Sequence, residues 1–268
     1  IIMRNFTFDQ TPPTQNIVAP QQYVMSSLPT ISGTSADTSP GLPDYLQIRV
    51  RAGDNLRYWD GSAFTIQEAA KETAWYTALS TTAYSIWFAT HPNNSNWVNN
   101  VEYSIEVKTI DKAGNWSAEY STKTFRYDIA LPQTSVLYPA NNTSLRQLLT
   151  ISGTATDANT VQEVKFSAYN RYTGLWWGGA DFNLSGPLPP GPPPFEDYAT
   201  DVPPGQPWRY PLIDSTDLTS GVSYYLQTRG RDNALPPNWE NLPGAGPIEF
   251  IWDITSPTST ITYPYDGG

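Results

Sequence analysis

Cysteine is missing from all 268 residues. Its absence excludes disulfide bonds and thiolate metal sites, and with them the antibody type of sandwich pinned by a bridge between its sheets. Histidine occurs once, so any imidazole-based catalytic arrangement has to use His91, which sits beside Pro92 in an Asn-rich, turn-like stretch with no counterpart later in the chain. It reads as a solvent-facing loop residue. Lysine and arginine number only 15, unclustered, against 25 aspartates and glutamates; at a net charge of −10 a nucleic-acid surface is excluded. No apolar run approaches the roughly 18 residues of a membrane span, and no N-terminal signal is present. Gly-rich phosphate loops and zinc spacings are missing too. None of the acids stands out from ordinary turn or surface placement as the carboxylate pair of a glycosidase would. The reading is therefore non-enzymatic.

Aromatics, proline and glycine are abundant instead: 10 Trp, 17 Tyr, 9 Phe, 25 Pro and 18 Gly, with few long Ala/Leu/Glu/Lys runs. That is the balance of an all-β protein with many turns. The order of landmarks then shows a duplication. LPTISGTSAD (28–37) answers LLTISGTATD (148–157), YWDGSAF (58–64) answers WWGGADF (176–182), and VEYSIEVKTID (101–111) answers VSYYLQTRGRD (222–232). The offset is 120 from Gly33 to Gly153, 118 from Phe64 to Phe182, 121 from Asp111 to Asp232 and 125 from Phe125 to Phe250. A period this long marks a duplicated domain, since solenoid repeats run to about 20–50 residues.

A third phrase marks the seams: FTFDQTPPT at 6–14, FRYDIALPQT at 125–134 and FIWDITSPTS at 250–259. Each reads as a last strand, a joint and the start of another strand. The expected organisation is thus 1–8, the last strand of a preceding repeat or an exchanged strand; 9–128, repeat 1; 129–253, repeat 2; and 254–268, the first strand of a following repeat. A joint this short, with proline soon after, predicts a semi-rigid array.

Alternation locates the strands. In LQIRVRA (46–52) Leu46, Ile48 and Val50 share one face; in VEYSIEVKTI (101–110) Val101, Tyr103, Ile105 and Val107 do. Turn signals fall between them at Asp54-Asn55, Asp60-Gly61, Pro92-Asn93 and Ala113-Gly114-Asn115. Several short alternating strands in about 120 residues predict an antiparallel Greek-key sandwich. Residues 65–80 combine a Gln/Glu/Ala/Lys run suited to a helical turn or two with Trp75-Tyr76, equally suited to a strand. Their counterpart in repeat 2 lies in the Pro-rich loop 184–211, where proline density forbids helix interior and central strand. It reads as a stiff surface loop of polyproline II character, a type that also recruits partners.

With these phrases in place, the sequence resembles the bacterial immunoglobulin-like tandem repeats of large surface and extracellular proteins. Ile31-Ser32-Gly33-Thr34 with Asp37, Trp59-Asp60-Gly61 with Phe64, Tyr103 through Asn115, and Phe125, Tyr127, Asp128 and Pro132 carry the resemblance. Repeat 2 departs from it where Asp60 becomes Gly178 and the AGN turn becomes 234–238. The resemblance implies tandem immunoglobulin-like sandwiches acting as spacer, scaffold or adhesive stalk in a prokaryotic extracellular or cell-surface protein, and it implies no reaction. Expected partners are copies of the chain or neighbouring repeats. The alternatives are an adhesin or carbohydrate-binding segment that takes glycans on exposed aromatics, and an accessory region of a large secreted hydrolase.

Two groups of residues are candidates for contacts. Asp9, Asp128 and Asp253 stand at the joints, and Asp37, Asp157, Asp111 and Asp232 fall in turns near the same ends of the sandwiches. The pattern requires no cofactor, and calcium is the one it argues for, because hard oxygen ligands at a joint remove hinge freedom. The denser Asp-x-Asn-Asp-Asn signature of cadherin-type joints is missing, and an Asp before a turn also caps backbone amides without metal. Among the tryptophans, Trp59 with Trp177, Trp87 with Trp208 and Trp116 with Trp239 recur and read as core or corner packing. Trp97 and Trp176 lack such partners and are the expected contact surface for a glycan or a neighbouring chain. Asn-x-Ser/Thr triplets begin at Asn5, Asn93, Asn115, Asn141, Asn142 and Asn183.

Overall fold

The computed structural model describes residues 8–38, 41–200, 202, 207–242, 244 and 248–263. The expectations for residues 1–7 and 264–268, including the acceptor at Asn5, and for residues 201 and 203–206 of the Pro-rich loop, lie outside the described residues. Residues 254–263 form no strand and stay exposed. The chain divides into two compact units, one of Ile1–Ala130 with the short segment Asn233–Asn238, the other of Leu131–Asp232 with Trp239–Gly268.

In the first unit, strand Pro43–Ala52 turns Leu46, Ile48 and Val50 inward, each fully buried, as period-two alternation requires. Val101–Asp111 pairs with it antiparallel, setting Ile105 opposite Val50 and Val107 opposite Ile48. Ser121–Tyr127 pairs on its other side, with Phe125 opposite Tyr103. The sheet runs in the order Val24–Met25, Ser121–Tyr127, Val101–Asp111, Pro43–Ala52, Tyr58–Trp59, Phe64–Ile66. A second sheet orders Thr14–Ala19, Ile31–Ala36, Ile86–Ala89 and Leu79–Ser80. The chain changes sheets early: Thr14–Ala19 pairs with Ile31–Ala36, then Val24–Met25 runs parallel to Arg126 and Tyr127. Pro20 lies between the two and has no N–H to continue the first ladder. Ile17, Ile31, Trp87 and Ala89 of the smaller sheet close the core over Leu46, Ile48, Ile105 and Phe125 of the larger.

The segment Asn233–Asn238, which the repeat offsets assign to the second repeat, completes this first unit. Leu235 N–H donates to Val24 O at 3.1 Å, Leu235 O accepts from Ser26 N–H at 3.0 Å, and the side chain packs on the core. Residues 65–80 realise both of their propensities, with a 3₁₀ helix over Glu68–Ala74 followed by the two-residue strands Tyr76–Thr77 and Leu79–Ser80.

The second unit repeats the plan. Gln133–Tyr138, Ile151–Thr156 and Trp208–Tyr210 form one sheet; the other orders Thr143–Leu145, Ile248–Trp252, Val222–Asp232, Val161–Asn170, Leu175–Trp177 and Phe182–Leu184. Here the proline-rich segment lies on the outer face. Asp197–Tyr198 pairs with Lys165 and Phe166, and Gln227, which points outward from its strand, is only 2 % exposed and donates to Gly191 O at 3.3 Å. Both units are immunoglobulin-like antiparallel sandwiches.

Candidate metal centre and the aromatic surface

Three aspartates meet at one end of the first unit. Asp9 precedes the first strand and turns the chain by accepting Thr11 N–H at 2.9 Å. Asp37 follows Ile31–Ala36 and accepts Thr38 N–H at 2.7 Å. Asp111 ends Val101–Asp111 and is 2 % exposed. One carboxylate oxygen of each lies within 4.8 Å of the other two. Asp111 is held by Asn115, whose backbone N–H and side-chain amide each donate to it at 2.8 Å; the same amide reaches Asp9 O at 3.1 Å. The Ala113-Gly114-Asn115 turn is thus the clamp that fixes the third carboxylate. By contrast, Asp9 Oδ2 and Asp37 Oδ2 are buried atoms that accept no hydrogen bond. Gly41 leaves room for them: a β-carbon there would stand 1.7 Å from Asp9 Oδ2 and 2.8 Å from Asp37 Oδ2.

The electrostatics are those of like charges held together. Burial raises the Asp37 carboxyl above the ordinary range, Thr38 N–H opposes this, and Asp9 and Asp111 raise it further. Burial also acts to raise Asp111, but the Asn115 side chain and the amides of the turn outweigh it and hold that carboxyl low. Among the described residues no lysine or arginine pairs with any of the three.

The other four aspartates lie outside this cluster. Asp128 is fully buried and accepts Ala130 N–H at 3.0 Å. Within the second unit, Asp157 caps Asn159 N–H at 2.8 Å, and its carboxylate approaches that of the fully buried Asp232 within 4.8 Å. Asp253 is exposed and caps Thr255 N–H at 2.9 Å.

Trp97 and Trp176 are not a contact surface. Trp97 is 6 % exposed, donates its indole N–H to Leu28 O at 2.9 Å and packs edge-on against Tyr103 and Phe125, at centroid distances of 4.8 and 5.1 Å. Trp176 is wholly buried although it points away from the core, because the proline-rich segment covers it and Pro187 O accepts its N–H at 3.0 Å. Of the recurring tryptophans, Trp59, Trp177, Trp87 and Trp208 are core residues. Trp116 is not: it is 39 % exposed, with Lys108 Nζ 4.8 Å from its ring centroid. Lys108 lies 4.3 Å from Trp75 as well, and Arg49 stacks on the same indole at 4.4 Å. Arg49 is the outward residue that alternation most misjudges. It is 4 % exposed because Glu72, Glu106 and Trp75 enclose it. His91 is exposed and its ring meets Thr90 Oγ1, at 3.2 Å.

Residues 132–183 match the family model of the bacterial Ig domain. That stretch of the second unit is similar to a bacterial Ig domain. Among solved structures, the fibronectin(III)-like modules of Clostridium thermocellum CbhA align at 11 % identity over 92 % of this chain and 100 % of theirs, with a TM-score of 0.37. The chicken CNTN1 FN1-FN3 domains align at 10 % over 92 % of this chain and 68 % of theirs (TM-score 0.31), and murine CEACAM1b at 11 % over 89 % and 100 % (TM-score 0.31). Likeness at this level carries no functional argument. No curated protein matches the sequence. Within the second Ig-like repeat the matched stretch contains the ISGT strand, with Gly153, and the strand Val161–Asn170. Among the described residues no helix is long and apolar enough to cross a membrane.

Proposed function

We propose that the chain is a non-catalytic structural segment of a bacterial extracellular or cell-surface stalk, sheath or filament, in which Ig-like repeats serve as spacers. The observation that carries this reading is the duplication of key core positions. Ile31, Trp87, Tyr103 and Phe125 have buried equivalents in Ile151, Trp208, Tyr224 and Phe250. Duplication of a packing core with divergent loops multiplies length and leaves no common reaction site. Immunogold labelling of intact cells with an antibody to this segment tests it: label on the cell exterior, released by external protease, is expected, and label confined to the cell interior overturns it.

The second element of this proposal is a calcium ion held by Asp9, Asp37 and Asp111. Hard carboxylate oxygens suit that ion, with water completing its shell. Two buried carboxylate oxygens without a hydrogen-bond donor, in a cluster of three carboxylates, are the observation that supports it. The ion would tie the segment before the first strand to the ends of two others.

A further inference from the structure

We propose that the outer face of the first unit carries a saccharide-binding groove, walled by Trp116 and Tyr120 and floored by Lys108 and Thr122. The groove measures about 610 Å³, within the range of small-ligand sites. Its construction follows from the strands. Val101–Asp111 alternates, so Lys108 points outward beside Thr122 of the neighbouring strand, whose register sets Thr122 opposite Glu106. Beyond the 112–115 turn, Trp116 forms an antiparallel bridge with Ile110, which brings its indole back over the same face, and Tyr45 braces it edge-on at 5.7 Å. Tyr120 is fixed edge-on against Trp75 at 5.2 Å. Two aromatic side chains, 39 and 44 % exposed, are therefore held rigid by packing instead of being left loose on a loop.

The chemistry of the walls selects the ligand. A pyranose ring has an apolar C–H face that packs on an indole or phenol, and a rim of hydroxyls that both donate and accept. Lys108 lies between two indoles and meets no oxygen acceptor among the described residues, so its three N–H donors are available to ring or hydroxyl oxygens, or to a sugar carboxylate. Glu119, on the rim, supplies an acceptor. A purely apolar partner would leave this ammonium further desolvated with nothing to bond, which is costly.

The second unit shows what a filled version looks like. There Trp239, at the equivalent position, has Lys165, Arg229 and Arg231 within 5.0, 4.6 and 5.6 Å of its ring, and Lys165 also meets Tyr198 at 5.2 Å. Arg229 and Arg231 are in turn paired with Glu196 and Glu163. Lys108 faces the Trp116 ring in the first unit without a carboxylate partner among the described residues, whereas two of the three cations at Trp239 are neutralised, and Tyr198 of the proline-rich segment lies over the sheet.

The test is titration of the whole 268-residue chain with neutral hexose, N-acetylhexosamine and hexuronate oligosaccharides, followed by calorimetry and by the indole N–H resonances. Saturable binding to at least one of these, with Trp116→Ala and Lys108→Gln each weakening it about tenfold while the thermal transition is unchanged, is expected. Preference for the hexuronate assigns Lys108 to a carboxylate, and equal binding of neutral sugars assigns it to hydroxyls; both uphold the groove. If Trp116→Ala unfolds, the milder Trp116→Phe and the shift of the wild-type indole resonance give the same answer. No binding to any of the three classes overturns the proposal, as does binding indifferent to both substitutions or selective binding of a proline-rich peptide. Such a failure leaves the structural role untouched, because that role rests on the duplicated core.

Discussion

Gly33 lies so close under the indole of Trp87 that a β-carbon on it would stand 2.2 Å from Trp87 Cζ2 and 2.0 Å from Asn16 O. The same pair recurs as Gly153 and Trp208, with 2.4 Å to Trp208 Cζ2 and 1.8 Å to Ser135 O. The glycine of the ISGT phrase is thus required by space: it lets a full tryptophan lie across a strand in the middle of the sandwich. Gly33→Ala and Gly153→Ala should each destabilise their own unit by about 3 kcal/mol or more, since neither the backbone oxygen nor the wedged indole can retreat. Urea unfolding of the two variants measures this, and a loss below about 1 kcal/mol in either would show that the core yields.

Trp97 and Trp176 provide the second prediction. Trp97→Ala removes a ring packed against Tyr103 and Phe125, and Trp176→Ala one covered by Pro187, so each should cost about 3–5 kcal/mol of stability. Denaturation midpoints check this. Variants that unfold like the parent would mean that the rings are in water.

Why these two tryptophans misled is a matter of what periodicity encodes. Alternation tells which face of a strand a residue occupies, and it placed Leu46, Ile48, Val50, Tyr103, Ile105 and Val107 correctly in the core. It is silent on what later covers the other face. Trp176 does point away from the core, but a segment beginning about ten residues downstream lies on it; Arg49 points outward and is enclosed by Glu72 and Glu106. Trp97 stands in an Asn-rich turn with no alternation to read, and its burial depends on Leu28 O, 69 residues away. The recurrence that marked Trp116 as packing reflected a conserved place at the strand end, where the ring braces cations instead. Leu235 shows the limit of the offsets. They align sequence with sequence, whereas the hydrogen bonds of Leu235 to Val24 and Ser26 place it in the other unit. The aspartates at strand ends were legible as turn residues; their convergence needed the packing of the two sheets, because Ile31–Ala36 and Val101–Asp111 belong to different ones.

Tyr210 gives a pH prediction. It is fully buried, accepts Trp177 Nε1–H at 2.7 Å and donates to Asp197 Oδ2 at 2.7 Å. Burial, then the Asp197 hydrogen bond and charge, push its phenol well above the ordinary range. The folded state therefore keeps the proton longer than the unfolded state. The contribution is complete below the unfolded value of ~10 and is lost as pH rises above it, at about 1.4 kcal/mol per pH unit. Stability of the second unit should fall above pH ~10, and Tyr210→Phe should flatten that fall while costing about 1–3 kcal/mol at neutral pH, because Asp197 and Trp177 lose their partner. Alkaline unfolding curves of the parent and the variant, read by phenolate absorbance, decide it. Identical slopes would remove Tyr210 as the source.

The calcium proposal yields opposite signs for one substitution in two conditions. Three carboxylates with oxygens within 4.8 Å of one another repel, at about 4 kcal/mol per pair for charges ~4 Å apart near a protein surface before screening, so the ion-free unit carries an electrostatic penalty. Asp37→Asn removes one of the charges. In a chelator it should therefore unfold no earlier than the parent, and above it if the asparagine amide finds one of the remaining carboxylates. In calcium the order reverses: the parent gains about 2.7 kcal/mol at a hundredfold excess over the dissociation constant, and the variant gains much less. Magnesium, which demands a tighter octahedron and sheds water reluctantly, should substitute poorly. Thermal unfolding of both proteins in chelator, calcium and magnesium completes the comparison. A parent that melts at one temperature in all three would mean that the aspartates hold turns and nothing else.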